Sequence, residues 1–294
     1  MADSIFALTP GNFLWPYFAG IAILLVGLFA ARKELVLARG QEKLVVLAPL
    51  FFVAPIAVFA TQHFTNTKFV SLIVPAWLPV RVFWTYFVGT CLLAAALSIA
   101  VKKHARLAGT LLAILLVMFV LFVHTPNIVA HPKNILTWAF AFRDLSFSGG
   151  ALALAETQTK NRHRETKSTL VTVSRIFISV AAIFFGVAHF LHPEFLPAVD
   201  LDQNTPNWIP VHAFWAYLAG TVFIVAGASM LLNRKTRFAA TRLAITVLIL
   251  LLLVYLPIVI HKPTDIDNGL NYFVSTLAFS GAVLLLAGAV REKD

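Results

Sequence analysis

Long apolar runs separated by short polar or basic breaks dominate the chain. A spanning helix needs about 20 mostly apolar residues. Nine segments meet that pattern: Phe13–Ala31, Leu44–Gln62, Val82–Val101, Leu107–Val123, Ile135–Ala155, Leu170–Ala188, Ala213–Leu232, Phe238–Leu256 and Leu270–Val290. From within the eighth to just beyond it, Leu243–Ile260 holds no charged residue. The sixth is interrupted near one end by Arg175, from where a long arginine reaches the headgroups. The first run is followed, not preceded, by Arg32 and Lys33. A cleaved leader has the opposite charge order, so this run is expected to remain as a span.

The polar breaks carry sign as well as position. Alternate connections hold Arg32/Lys33/Arg39/Lys43, Lys102/Lys103/Arg106, Lys160/Arg162/Arg164/Lys167, Arg234/Lys235/Arg237 and the tail Arg291/Lys293, while the intervening ones hold only Lys68, Arg81, Lys133 and Lys262. Lysine and arginine collect on the inner side. The expected topology therefore has nine crossings, the N-terminus outside and the C-terminus in the cytoplasm.

The pattern also repeats. Between Trp77–Thr90 and Trp208–Thr221, at a constant offset of 131, eight of fourteen positions are identical, Trp, Pro and Gly among them. His63-Phe64 matches His189-Phe190, Leu145–Gly149 matches Leu277–Gly281, Gly89 matches Gly220, and Pro126 matches Pro257. The loop after His189 is five residues longer than the one after His63, around Asp200–Asn204. Such self-similarity decides the architecture before any other feature. The expected fold is an all-α polytopic membrane protein: an extra N-terminal helix and basic inner loop (1–43), a four-helix repeat A (44–156), a polar inner linker (157–169) and a four-helix repeat B (170–294). Four crossings restore the direction of the chain, so the repeats are expected to lie parallel, about a pseudo-twofold axis along the membrane normal. Each proline is expected to end or kink its helix, and each matched glycine to admit a neighbouring helix.

Composition agrees with a membrane setting. The chain is 60% hydrophobic and 12% charged, against about 25% charged in soluble domains. Its net charge of +10 sits in short clusters between apolar runs, which points to a membrane surface rather than nucleic acid. The single cysteine, Cys91, excludes an internal disulfide or a cysteine metal cage.

Candidate chemistry is one-sided. Seven histidines (His63, His124, His131, His189, His192, His212, His261) and all tryptophans and tyrosines fall in the expected outer half. An anchoring belt is the ordinary reason for interfacial aromatics, yet belts occupy both faces. The other reading is an outward pocket lined by Trp77, Trp84, Tyr86, Trp208, Trp215 and Tyr217. His63 and His189, at matched helix ends, would supply imidazoles to a quinone carbonyl or a haem iron; helix capping is the alternative. His189 and His192 are spaced to chelate a metal, but Pro193 follows and Asn66 replaces the second imidazole in repeat A, so metal binding is a weak candidate. Arg81 and His212 are matched basic residues suited to an anionic group or a lipid headgroup. Arg143 and Asp144 lie inside the fifth span, where charge is rare and faces the interior. Neighbours along a helix point apart, so each is expected to find a partner elsewhere, Tyr86 or His124. Repeat B has Ser275 and Thr276 instead.

The order His-Phe, Trp-x-Pro, Phe-Trp-x-Tyr-x-x-Gly, basic loop, proline-ended helix resembles the DoxX-like family of four-helix membrane proteins. It is carried by His63, Phe64, Trp77, Pro79, Trp84, Tyr86, Gly89, Arg106 and Pro126, and again by His189, Phe190, Trp208, Pro210, Trp215, Tyr217, Gly220, Arg237 and Pro257. The resemblance implies a bundle in a membrane, here expected to be a bacterial cytoplasmic (inner) membrane. Its relatives include a subunit linked to thiosulfate:quinone oxidoreduction, a protein serving amine dehydrogenase maturation, and cargo receptors and assembly chaperones. Three functions follow as expectations: a quinone- or redox-associated subunit with a redox or exported protein partner, a non-catalytic binding or assembly protein, or a small-molecule transporter.

Overall fold

The computed structural model describes residues 12–158, 168–199, 201 and 203–290. The basic clusters at 160–167 and 291–293, most of the 157–169 linker, and Asp200 and Asp202 lie outside them. The described chain is helical: α1 (Leu14–Leu37), α2 (Glu42–Thr65), the short α3 (Thr67–Ile73), α4 (Arg81–Ala100), α5 (Ala105–Phe119), α6 (Thr125–Ala130), α7 (Ile135–Thr157), α8 (Thr169–Leu191), α9 (His212–Leu231), α10 (Thr236–Leu250), α11 (Leu256–His261) and α12 (Asn271–Ala289). A π-helical turn, Val120–His124, joins α5 to α6; another, Leu251–Tyr255, joins α10 to α11; a third, Ile266–Leu270, leads into α12.

Among the described residues eight helical rods are long and apolar enough to cross a membrane: Leu14–Leu37, Glu42–Thr65, Arg81–Ala100, Ala105–Ala130, Thr169–Leu191, His212–Leu231, Thr236–His261 and Ile266–Ala289. The molecule is thus an all-α, multi-pass membrane protein. The stretch expected as a span at Ile135–Ala155 forms the helix α7, which is not among these eight, because Arg143, Asp144, Ser146, Ser148, Gly149 and Gly150 dilute its apolarity. A helix of 23 residues still reaches ~34 Å at 1.5 Å per residue.

Proline does not end the rods at Pro126 and Pro257. A ring nitrogen cannot donate, and the chain widens by one residue ahead of it instead. Thr125 N–H reaches Val120 O and Leu256 N–H reaches Leu251 O, after which helix resumes to Ala130 and His261.

Many local features recur 131 residues apart. The bounds of α4, α5 and α6 reappear in α9, α10 and α11. The left-handed residues Val80, Lys102 and His104 have counterparts at Val211, Asn233 and Lys235. The turn after α4 is closed by Ser98 Oγ donating to Lys103 O, and the turn after α9 by Ser229 Oγ donating to Arg234 O.

The rods close into a ring. Neighbours run α2, α4, α5, α7, α8, α9, α10, α12 and back to α2, while α7 and α12 also cross in the middle and α1 packs outside, chiefly on α2. The halves therefore interlock, the last helix of each lying on the first helix of the other. Apolar side chains gain little by leaving lipid, so close backbone approach must hold such a ring together. At the central crossing a Cβ on Gly150 would lie 2.5 Å from Ala282 Cβ, and where α12 lies on α2 one on Gly281 would lie 2.6 Å from the Phe52 nitrogen. Arg175 does not reach for headgroups. Its Nη1 donates to Met230 O and Leu231 O, 2.7 and 2.6 Å away, satisfying carbonyls left over at the end of α9.

Candidate functional site

In the first half, α7 carries Arg143 and Asp144 against the π-turn that ends at His124. His124 Nε2 lies 2.8 Å from Asp144 Oδ2, and Arg143 Nε lies 3.2 Å from Asp144 Oδ1. The long arginine bends back along its own helix, so these neighbours do pair, and the expectation that they point apart fails. The partner found elsewhere belongs to Asp144 and is His124, one of the two expected. The guanidinium also sits over Phe140 and Phe59, 5.0 and 5.8 Å from the ring centroids; such contacts add attraction where water is scarce. Side chains of Arg143, Asp144 and His124 are 19%, 9% and 12% exposed. The cluster is close to sealed but not closed.

The π-turn is what aims His124. By widening the helix, the extra residue rotates the last side chain of the turn toward α7. π-bulges recur at functional sites for this reason. With Nε2–H donated to the carboxylate, His124 presents Nδ1 as an acceptor. Among the described residues that nitrogen makes no hydrogen bond. An imidazole oriented by a carboxylate beside a guanidinium can take a proton from a hydroxyl, or hold an oxygen by donation.

His63 lies one turn along α2 from Phe59 and donates Nδ1–H to Phe59 O at 2.8 Å. Phe59 thus touches both His63 and Arg143. Gly89 of α4 meets this stretch closely, its would-be Cβ 2.6 Å from His63 Cβ. Tyr86 stacks on Phe64 at 5.8 Å, and Thr67 Oγ1 donates to its hydroxyl at 3.4 Å. Trp77 packs edge-on against Phe122 of the π-turn at 6.0 Å. It is nonetheless 66% exposed. Trp84 contacts only rings of its own helix, Phe83 and Phe87, among its aromatic pairs. Arg81 is partly buried at the start of α4.

The second half is different. His189 is fully buried, edge-on to Phe223 at 5.7 Å, and Phe223 stacks on Phe279. Neither of its ring nitrogens has a hydrogen-bond partner. The longer loop covers it. Phe195 bridges to Asn204, Leu196 N–H donates to Gln203 O at 2.7 Å, and the intervening Leu196, Ala198, Val199 and Leu201 are all buried. Tyr255, matching His124, is buried and donates to Pro197 O of this loop at 3.5 Å. Ser275 and Thr276, matching Arg143 and Asp144, are buried without partners. Trp208, Trp215 and Tyr217 lie exposed on the surface, with Tyr217 stacked on Phe190 and Trp215 Nε1 donating to Pro210 O. His212 is partly buried at the start of α9. His192 pairs with Glu194, Nδ1 to Oε1 3.1 Å, rather than converging with His189.

The sequence-marked residues thus gather in two places, not in one aromatic-walled pocket. Sequence reasoning missed Phe59 and Phe140 as the rings under Arg143, and missed the buried loop. The loop's apolar residues, Leu196, Ala198, Val199 and Leu201, were the available signal. Of two cavities described, one of about 140 Å³ lies by Gln62, Asn66, Asp265 and Asp267, and one of about 260 Å³ lies at the opposite, basic side. Neither is lined by a histidine. A haem does not fit His189, which is sealed among phenyl rings, and neither described cavity reaches His63. No group of three or more metal-binding side chains occurs among the described residues.

Fold and site thus define a multi-pass helical membrane protein with a charged cluster inside one half. A family model described as a domain of unknown function (DUF8561) matches residues 52–133, which takes in His63, Tyr86 and His124 but stops before α7. No curated protein and no solved structure matches the chain.

Proposed function

We propose that the chain is a DoxX-like membrane protein that binds a quinone-type head group at His124, Asp144 and Arg143 and serves as a redox-associated membrane subunit. In this reading α7 is a ninth crossing, the N-terminus lies outside and the C-terminus in the cytoplasm of a bacterial inner membrane. The alternating basic connections support that orientation. Two parallel four-helix repeats are supported by the recurrence of α4 to α6, left-handed residues included, at a constant offset.

The observation that carries the ligand is the imidazole oriented by a buried carboxylate. A bound quinone supplies two-electron, two-proton chemistry. Asp144 fixes the tautomer of His124 and stabilises its cation; His124 receives or returns a proton at Nδ1; Arg143 donates to an oxygen carrying negative charge. Phe59 and Phe140 keep water from the cluster. The redox partner would meet the protein on this outer side.

Mass spectrometry of small molecules retained after gentle purification tests this, together with difference spectra on adding a short-chain quinone. We expect a retained quinone and a spectral change, with Asp144→Asn lowering affinity about tenfold or more. Neither quinone nor spectral change would remove the reading.

A second reading, a binding or assembly protein without catalysis, draws on the paired outer corners. Trp77 and Val80 are 66% and 72% exposed, and Trp208 and Val211 are 58% and 71% exposed. It expects a co-purifying protein that survives His124→Ala and is lost when both tryptophans become alanine.

A further inference from the structure

The cavity of about 260 Å³ sits at the basic side, opposite the charged cluster. Its walls come from six helices: Ala31 near the end of α1, Val46 and Leu50 in α2, Ala100 closing α4, Ala105 opening α5, Leu154 in α7 and Leu285 in α12. Glu34, Lys102, Thr157 and Gln158 stand at its mouth. Lys102 Nζ pairs with Glu34 Oε1 at 2.6 Å, and both side chains are partly exposed. The walls are small or aliphatic, and the polar groups lie only at helix ends. Apolar cavities of about 150 Å³ already stay dry and take up apolar ligands.

The surrounding charge is mostly positive. Arg32 and Lys33 in the last turns of α1, Arg39 between α1 and α2, Lys43 in the first turn of α2, Lys103 between α4 and α5 and Arg106 in the first turn of α5 stand at this end of the molecule, against Glu34 and Glu42. Glu42 is itself paired with Arg237. Basic mouths between transmembrane helices at this depth attract anionic headgroups.

We propose that this cavity is a specific site for an anionic phospholipid of the adjacent leaflet. One acyl chain lies between α1 and the ring, and the phosphate sits at Lys102, displacing Glu34. Such a lipid would also wedge α1 onto the ring, which α1 otherwise touches chiefly through α2. The site is independent of the quinone reading and survives its failure.

The test uses the full chain in mild detergent, by native mass spectrometry and by thermal stability after delipidation and add-back. Phosphatidylglycerol and phosphatidylcholine of matched chains are compared, with inorganic phosphate as a third probe. We expect about one phosphatidylglycerol retained per chain, and stabilisation by it above phosphatidylcholine. Lys102→Gln should cut that preference about fivefold, the share of one cation near a membrane surface, while Glu34→Gln raises it. Val46→Phe should fill the throat and abolish retention. If Val46→Phe does not fold, the two mouth variants still decide. Equal binding of both lipids, unaltered preference in Lys102→Gln, or stabilisation by phosphate alone to the same extent would each overturn the proposal.

Discussion

The two halves of the ring share the bounds of three helices and the turns between them, and differ in what fills them. In the first, the π-turn before Pro126 directs His124 onto Asp144 and Arg143. In the second, the same turn before Pro257 directs Tyr255 onto a loop that has folded inward, and hydroxyls replace the charges. The five added residues after His189 bring in the apolar material that seals this half. The first half has only α3 there, with no buried residue. A scaffold that keeps even its left-handed turns while exchanging charge for packing has separated two tasks. One half keeps a charged cluster that is almost sealed; the other fills the matching place with hydroxyls and a buried loop.

The sharpest way to break the comparison is to treat matched positions alike. Asp144→Ala leaves Arg143 and His124 beside each other without the carboxylate, and breaking a buried pair costs about 3–5 kcal/mol. Thr276→Val removes a buried hydroxyl with no partner and should stabilise by about 1 kcal/mol. Denaturation in mixed micelles reads both. The same sign for the two variants would mean that the halves are not specialised.

The loop comes next. Leu196 is fully buried, and Leu196→Ala should cost about 2–5 kcal/mol. Leu72, in the matched stretch of the first half, is 68% exposed; Leu72→Ala should stay within about 0.5 kcal/mol. A smaller cost falls where α12 lies on α2. Gly281→Ala would push a methyl group into the backbone of Phe52 and should cost about 1–3 kcal/mol, weakening both halves together because α12 is shared between them.

Much of this fold was legible in the chain. The apolar runs carried the helices, and Arg143-Asp144 stood out because charge inside such a run needs a reason. Legibility ended where structure depends on a one-residue change of pitch. Nothing in Val120–His124 or Leu251–Tyr255 breaks helical periodicity, so the π-turns were hidden, and with them the pairing of His124. The ion pair between sequence neighbours was misjudged because the rule for facing residues treats side chains as short, and arginine is not. The longer loop after His189 showed only its length in the sequence, because the few aliphatic residues between Phe195 and Leu201 are too short a run to show that they fold inward.

The smallest effect concerns the base of that loop. His192 and Glu194 pair where the first half has Asn66 and Lys68. The Glu194 carboxyl is held below its usual range first by its own backbone N–H and then by His192. A depressed carboxylate stabilises the fold above its unfolded value, and that contribution is lost as pH falls through the native one. The increment is therefore present at neutral pH and fades below an ordinary value of 4.5. Glu194 is half exposed, so solvent limits it to under about 1 kcal/mol. Thermal unfolding of wild type and Glu194→Gln should differ slightly at pH 7 and converge toward pH 3. A difference that grows on acidification would mean that the pair does not hold the loop. A large difference at pH 7 would mean that the loop depends on this clamp rather than on its buried leucines.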